Sequence, residues 1–423
     1  MDVHTNNEQA FLWACENGHL EIVRLLLELK GDRRIDVHAN NEQAFRWACS
    51  DGHLEVVRLL LELEGDRRID VHAEDEKAFR MACYDGHLEI VRLLLELEGD
   101  RRIDVHAEDE EAFRMACSNG HLEVVKLLLE LEGDRRIDVH ANNEDAFRWA
   151  CYDGHLEVVK LLLELEGDRR IDVHANNEEA FCWACDNGHL EVVKLLLELK
   201  GDRRIDVHAR NEQAFRWACH NGHLEVVRRL LGLEGDRRVD VHVDNEAAFR
   251  WACHNGRLDV VRRLLALEGD RRIDVHAGNE QAFLWACENG RLKIVRLLLG
   301  LDSDRRIDVH VDNEKAFRMV CSDGRLEIVR LLLELDGDRT IPEELIPNKY
   351  LPPNLKQTNH TCIVTFDPIE ENEEYVECIK NPEHVVKHSV YKRTTFNTCL
   401  ICKTNNVKTY INKKKYFRKI CNS

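Results

Sequence analysis

The sequence is poor in proline and has no long apolar run. Only six prolines occur in 423 residues, and four of them fall within residues 341–360. No apolar run approaches the roughly 18 residues that a transmembrane helix needs, so we expect no membrane span. The first residues, MDVHTNNE, have neither a basic region nor an apolar core, which argues against a secretory signal. Phosphate-binding glycine loops, Gly-x-Ser-x-Gly and His-Glu-x-x-His are also absent, and no catalytic residue is predicted.

Charge and cysteine content narrow the class of protein further. The net charge is −19, divided into −23 on residues 1–340 and +4 on residues 341–423. Nucleic acid is therefore an unlikely partner for the acidic part, because such binding depends on neutralising phosphates. The sixteen cysteines predict a reducing compartment, with burial or metal binding rather than disulfides as their role. We expect a cytoplasmic protein, with the nucleus as the alternative.

One 34-residue unit is repeated ten times without an insertion. The copies start at residues 1, 35, 69, 103, 137, 171, 205, 239, 273 and 307. All seven tryptophans occupy one position of the unit, where the other three copies carry methionine, and ten cysteines share another position. Repetition at this length is typical of solenoids, in which each unit buries its apolar surface against its neighbours.

Each unit predicts two short helices. Asn40 and Gln43 have the spacing of a capping box at the start of the first helix. Gly52 predicts its end, since glycine accepts left-handed backbone angles. Leucine and valine at helical spacing after Gly52 predict the second helix, which Gly65 ends. Because tryptophan alternates with methionine at one position, we interpret the Trp47 series as core. Arg67, Arg68 and Asp70 are expected to form exposed ion pairs between neighbouring loops.

The stretch Asn17-Gly18-His19-Leu20-Glu21-Ile22-Val23, followed by LLLEL, resembles the second-helix signature of ankyrin repeats. The resemblance covers residues 1–340, and the variant units are similar to the ankyrin arrays of large DNA viruses. It implies an all-α ankyrin solenoid of ten helix-pair repeats that binds a protein partner through its loop tips and concave face. The residues that vary between units at those places are the predicted partner-binding residues: Tyr84, Tyr152, His220, His254, Glu74 and Glu108. Drift on a solvated surface is the alternative explanation of this variation.

The end of the chain departs from the repeat. Residues 341–360 predict a proline-rich linker, residues 361–405 a small α+β zinc-finger-like module, and residues 406–423 a basic tail. Six potential ligands lie in the module: Cys362, Cys378, His384, His388, Cys399 and Cys402. So short and apolar-poor a segment needs a metal to stabilise it. A decayed domain, or a thiol cluster without metal, is the alternative.

The order of these ligands resembles a degenerate RING finger. The resemblance implies one intact Zn²⁺ site of Cys378, His384, Cys399 and Cys402. Cys362 and His388 would be the remnants of a second site, whose other ligand positions fall on Thr365 and Tyr391. By the same resemblance, Ile363 and Lys403 would contact a ubiquitin-conjugating enzyme and its bound ubiquitin. The sequence thus predicts an interaction scaffold, with a RING-type ubiquitin ligase that uses the array as substrate receptor as the alternative.

Overall fold

The structure is a computed structural model that describes residues 7–342, residue 345 and four strands between residues 374 and 420. Backbone contacts divide the chain into two compact units, Met1–Ile273 and Asp274–Ser423. The first unit holds eight helix pairs, and the second holds two helix pairs and the four strands. The predicted helix-pair repeats are therefore confirmed.

The first unit contains helices α1 to α16, in which odd numbers are the first helices of the repeats and even numbers the second. The helices are α1 Gln9–Glu16, α2 Leu20–Leu27, α3 Ala39–Ser50, α4 Leu54–Leu61, α5 Ala73–Asp85, α6 Leu88–Leu95, α7 Ala107–Ser118, α8 Leu122–Leu129, α9 Ala141–Asp153, α10 Leu156–Leu163, α11 Ala175–Asn187, α12 Leu190–Glu198, α13 Ala209–Asn221, α14 Leu224–Leu231, α15 Val243–Asn255 and α16 Leu258–Leu265. A single 3₁₀ turn follows each pair, as at Gly31–Arg33 and Gly65–Arg67. Helices this short are marginal in water, so neighbouring repeats must stabilise them.

Stacking buries one face of every first helix. In α3, after its first turn, the buried apolar residues are Ala44, Phe45, Ala48 and Cys49, a spacing that places them on one side of the helix. Consecutive first helices pack on one another through α15, and each packs on the second helix of its own repeat. The phenylalanine equivalent to Phe45 is fully buried or nearly so in every repeat. Burying such a side chain contributes about 1.5–3 kcal/mol per repeat.

The start of the first helix differs from the predicted capping box. Asn40, Asn41 and Glu42 all have left-handed backbone angles, with φ of 55°, 57° and 59°, and no side chain caps the helix. Three such residues in a row are costly for L-amino acids, although Asn and Asp tolerate the conformation best. The turn is held by Arg46, which donates hydrogen bonds to the carbonyls of Asn40 and Asn41 at 2.8 Å each. Asn40 and Gln43 do contact, side chain to side chain, at 2.7 Å.

Three contacts recur along the first unit and join neighbouring repeats within it. Arg34 binds the carboxylate of Asp66 with two hydrogen bonds of 2.5 and 2.7 Å. His53 lies 2.7 Å from the carbonyl of Glu16, at the end of the preceding first helix. Arg67 donates to the carbonyl of Leu27, the last residue of α2, at 3.0 Å. Of the three residues predicted to form loop ion pairs, Arg68 pairs with Asp100 of the next loop, as expected of it. Arg67 binds a helix end instead, and Asp70 accepts a hydrogen bond from the backbone N–H of His72.

The second unit has the same repeat geometry followed by a sheet. Its helices are α17 Ala277–Glu288, α18 Leu292–Leu299, α19 Val311–Ser322 and α20 Leu326–Leu333, with 3₁₀ turns at Ser303–Arg305 and Gly337–Arg339. The strands are β1 Glu374–Cys378, β2 Val385–Lys387, β3 Val407–Ile411 and β4 Arg418–Ile420. All pairs are antiparallel and the order is β2-β1-β3-β4. Strands β1 and β2 fall in the predicted zinc module, and β3 and β4 in the predicted basic tail.

Candidate functional site

The first helices present a polar and aromatic surface opposite their buried side. In α3 this surface consists of Arg46, Trp47 and Ser50, which share one side because they are spaced i, i+1 and i+4. We call the residues equivalent to Trp47 and Ser50 in every repeat the first-helix face. None of the seven tryptophans is buried, and Trp13 and Trp149 are 53% and 37% exposed. The interpretation of the tryptophans as core was therefore wrong.

Three aromatic rings meet on this face in repeats five and six. The ring centroid of Trp149 lies 5.1 Å from that of Tyr152 and 5.3 Å from that of Trp183, and Tyr152 and Trp183 are 5.5 Å apart. We call Trp149, Tyr152 and Trp183 the aromatic cluster. The Arg148 guanidinium lies 5.4 Å from the Trp183 ring centroid, which is within cation–π range. Because Trp149 and Tyr152 are one helical turn apart in α9, the spacing Trp-x-x-Tyr was a signal that sequence reasoning missed.

The two predicted tyrosine anchors lie on the first-helix face in different surroundings. Tyr84 is in the last turn of α5 and is 42% exposed. Tyr152 occupies the equivalent place in α9 and is half-buried, because it packs between the two tryptophans of the aromatic cluster. The structure thus brings Tyr152 together with other aromatic residues, while Tyr84 stands two repeats earlier in the stack.

The predicted histidines form a polar network in repeats seven and eight. Asn255 lies with its amide nitrogen 2.9 Å from Nδ1 of His220 and its oxygen 3.2 Å from Nδ1 of His254. The His220 ring packs edge-on against Trp251 at 5.8 Å. Burial lowers the pKa of His220, so the neutral ring accepts the hydrogen bond from Asn255. Burial raises the pKa of Asp186, which accepts a hydrogen bond from Asn221 at 2.7 Å.

The predicted glutamates lie in the left-handed turns, away from the aromatic cluster. Glu74 accepts hydrogen bonds from Arg46 at 2.9 Å and from Lys77 at 2.6 Å. The hydrogen bond from Lys77 is the largest of several effects that lower the pKa of Glu74. Glu108 is exposed, and its backbone carbonyl accepts from Arg114 at 3.0 Å. Glu74 therefore has intramolecular partners, which makes its carboxylate a weaker candidate for binding than an unpaired one.

A partly buried pair of histidine and glutamate recurs in the loops of repeats two to ten. His38 lies with Nδ1 2.6 Å from the carboxylate of Glu42 and Nε2 2.9 Å from the carbonyl of Asp66. Both partners only accept hydrogen bonds when Glu42 is ionised, so the ring must carry a proton on each nitrogen. Partial burial lowers the pKa of His38, but the hydrogen bonds to Glu42 and Asp66 outweigh it and the pKa is raised. The same carboxylate accepts from the backbone N–H of Asp70 in the next repeat at 3.2 Å.

These histidines are structural in the described part of the chain. Among residues 7–342 and the other described positions, no group of three or more His, Cys, Asp or Glu side chains is arranged to hold a metal ion. The eleven cysteines of the repeats are all buried, and burial raises the pKa of Cys15 to about 12. A thiol with so high a pKa is a poor nucleophile and metal ligand, which fits a packing role.

The predicted zinc and ubiquitin-related residues can be placed only in part. Cys378 is the last residue of β1, where its Cα pairs with that of Val407. The other seven residues, Cys362, Ile363, His384, His388, Cys399, Cys402 and Lys403, lie outside the described residues. The zinc site and the enzyme contact remain predictions of the sequence.

Comparison with known families identifies the repeat. A family model described as ankyrin repeats in three copies matches residues 1–75, 66–143, 113–211, 147–242, 199–279 and 249–341. These windows together span all ten repeats. A search of curated proteins returned no match. None of the helices in the described segments has the length and apolar character needed to cross a membrane.

Proposed function

The chain belongs to the ankyrin-repeat family, and from that premise we propose that it is a protein-interaction scaffold whose partner binds the first-helix face and adjoining loops. The observation that carries the proposal is the composition of this face. It combines partly exposed tryptophans with a position that varies between repeats, as Ser50, Tyr84 and Asp186 illustrate. Aromatic residues dominate the energetics of interfaces, and repeats five to eight each present a partly exposed tryptophan on this face.

Site-directed photo-crosslinking tests this proposal within a single repeat. A benzophenone amino acid at Tyr84, on the first-helix face, should crosslink the partner. The same group at Glu89, an exposed residue in the first turn of α6, is the matched control and should not. The captured protein is then purified, and its affinity should fall in Tyr84→Ala and Tyr152→Ala. Equal crosslinking from both positions would show that binding does not use this face.

A second candidate function, ubiquitin ligation, is supported by the order of Cys and His in residues 361–405 alone. In this proposal Cys378, His384, Cys399 and Cys402 bind one zinc ion, and a Cys₃His set is a suitable tetrahedral shell. Ile363 and Lys403 would contact the conjugating enzyme. Purified chain with conjugating enzyme, ubiquitin and ATP should then form ubiquitin chains, and Cys399→Ser should abolish them. Inactivity across a panel of conjugating enzymes would leave the scaffold function alone.

We also propose a cytoplasmic or nuclear location, the host cytoplasm if the chain is viral, as its variant repeats suggest. The support is that its many buried cysteines suit a reducing compartment. Fluorescence microscopy of the tagged full chain tests this, and an extracellular or luminal signal would contradict it.

A further inference from the structure

The aromatic cluster has one ring that is open to a ligand. Trp149 is the more exposed of its two tryptophans, and its contacts with Tyr152 and Trp183 hold the ring at 5.1 and 5.3 Å. Trp183 already has the Arg148 guanidinium near its ring. In the preceding repeat the equivalent arginine, Arg114, donates to Asp145 at 2.7 Å, as Arg148 does to Glu179, and among the described residues no guanidinium lies within cation–π range of the Trp149 ring. Trp149 therefore lies on the first-helix face with part of its ring exposed, and its contacts with Tyr152 and Trp183 fix the orientation of the ring.

Two intramolecular contacts show which chemistry suits these rings. Arg148 and Arg216 each place a guanidinium 5.4 Å from the centroid of an indole in the next repeat, Trp183 and Trp251 respectively. Such cation–π contacts contribute about 0.5–1 kcal/mol at exposed sites, and more when water is excluded. A guanidinium from a partner would find the same kind of ring at Trp149.

The charge beside the cluster favours a cation. In the first six repeats, the two positions equivalent to Ser50 and Asp51 carry no Lys, Arg or His. They carry five acids: Glu16, Asp51, Asp85, Asp153 and Asp186. Their hydrogen bonds come from neutral groups, as from Ser118 to Asp153 at 2.9 Å and from Asn221 to Asp186 at 2.7 Å. Residues 1–340 carry a net charge of −23. An acidic segment or a nucleic acid would be repelled here.

We propose that the first-helix face around Trp149 binds a basic, extended segment of the partner, with an arginine against the Trp149 ring and beside Asp153 and Asp186. This rests on the proposed scaffold function and specifies its partner. Packed helices are spaced by about 8–10 Å. An extended chain advances about 3.3 Å per residue, so every third residue of the bound segment meets a new repeat.

The test peptide carries one arginine at every third residue, to match the distance between neighbouring repeats. A twelve-residue peptide with the sequence Arg-Gly-Ser repeated four times is titrated into the full chain by calorimetry. The matched peptides replace every Arg by Gln or by Glu. We expect the Arg peptide to bind, the Gln peptide to bind at least tenfold more weakly and the Glu peptide not to bind. Affinity for the Arg peptide should fall with added salt because part of the attraction is between exposed charges.

Variants locate the binding site. Trp149→Ala should weaken binding of the Arg peptide at least tenfold, Trp149→Phe should restore most of it, and Asp186→Asn should weaken it several-fold. Glu157→Gln, which changes an exposed carboxylate in the first turn of α10 in the same repeat as Trp149, is the control and should leave the affinity unchanged. Circular dichroism checks that each variant is folded.

The outcomes separate the two proposals. Equal affinity for the Arg and Gln peptides, or a loss in Trp149→Ala no larger than that in Glu157→Gln, overturns this inference. So does the absence of binding by the Arg peptide when the Tyr84 crosslink captures a partner, and in that case the scaffold function stands. Absence of both a crosslink and peptide binding overturns the scaffold function as well.

Discussion

The guanidinium of Arg210 donates a hydrogen bond to the backbone carbonyl of Asn176 in the preceding repeat. In seven other repeats the equivalent carbonyl is bound by an arginine of its own first helix, as Arg46 binds that of Asn40 at 2.8 Å. Repeat six has Cys182 at that position and so lacks the donor. Arg210 of the next repeat therefore provides the hydrogen-bond donor that the left-handed turn of repeat six lacks because residue 182 is a cysteine.

This substitution predicts an energetic coupling between residues 182 and 210. Arg210→Ala should lower the free energy of unfolding by about 1 kcal/mol, because a carbonyl of the left-handed turn loses its charged donor. In a Cys182→Arg background the same change should cost less, since the new arginine can bind the carbonyl itself. Urea unfolding of the four proteins measures the coupling, expected to exceed about 0.5 kcal/mol. If the effects of Cys182→Arg and Arg210→Ala on the free energy of unfolding are strictly additive, Arg210 does not replace the donor missing at residue 182.

The loop histidines predict that stability depends on pH. The pKa of His140 is lowered by partial burial but raised overall by its hydrogen bonds, first among them that to Glu144 at 2.7 Å. A raised pKa in the folded state stabilises the fold below the ordinary histidine value of about 6.5, and this stability is lost as pH rises through the raised pKa. Glu144→Gln should therefore cost about 1 kcal/mol at pH 5.5 and less than half of that at pH 9.

Chemical denaturation at the two pH values tests this prediction. The control is Asp153→Asn, which changes an exposed carboxylate that has no histidine, lysine or arginine partner among the described residues. Its effect should be small at both pH values. A loss in Glu144→Gln that is equal at pH 5.5 and 9 would show that the imidazole is not charged.

Much of the repeat could be predicted from the sequence because helical periodicity and glycine placement act locally. Gly52 has φ of 79° at the end of α3, as expected of a helix stop. The same periodicity also separates Arg46, Trp47 and Ser50 from the buried Phe45, so the exposure of Trp47 was available in principle. The alternation of tryptophan with methionine pointed to the core instead. A large side chain between neighbouring repeats can be partly covered without being interior.

The left-handed turn could not be read from the sequence. The sequence Asn-Asn-Glu-Gln fits a capping box, and the left-handed turn depends instead on side-chain contacts that this stretch does not specify. Arg46 binds the carbonyls of the turn, and Glu42 binds His38 and the backbone N–H of Asp70, 28 residues later. The pairing of His38 with Glu42 had a local signal, because they are four residues apart. The predicted C-terminal ligands form no local pattern that fixes their geometry, and all but Cys378 lie outside the described residues.

The arginine–aspartate contacts predict a dependence on salt and acid. The hydrogen bond from Arg136 holds the pKa of Asp168 at about 2. A lowered pKa stabilises the fold above the ordinary aspartate value of about 3.9, and that stability is lost as pH falls through the lowered pKa. Asp168→Asn should thus lower the urea midpoint at pH 7 and low salt, with a difference from the native chain that shrinks between pH 4 and 2. In 1 M NaCl it should also shrink, because the pair is exposed.

Asp51→Asn is the comparison for this effect. Asp51 is also an exposed aspartate, and it has no lysine or arginine partner in the segments that the structure describes. Its removal should leave the midpoint unchanged or raise it slightly. If Asp51→Asn and Asp168→Asn lower the midpoint equally, net charge rather than pairing is responsible.

The number of reactive thiols tests both the burial of the repeat cysteines and the state of the cysteines in the C-terminal segment. The eleven repeat cysteines are buried, with the pKa of Cys182 raised to about 12 by burial, and should not react with Ellman's reagent in the native chain. Five of the sixteen cysteines lie beyond the repeats: Cys362, Cys378, Cys399, Cys402 and Cys421. Native protein should therefore show at most five reactive thiols, and denatured protein sixteen.

The proposed zinc site makes the native count depend on metal. With zinc bound, Cys378, Cys399 and Cys402 should be protected, leaving two reactive thiols, and a chelator should raise the count to five. Cys253→Ser, in the core of the eighth repeat, should leave both native counts unchanged while lowering the denatured count by one. A count that the chelator does not alter would contradict the metal site. More than five reactive thiols in native protein would contradict the burial of the repeat cysteines instead, so the two failures are distinct.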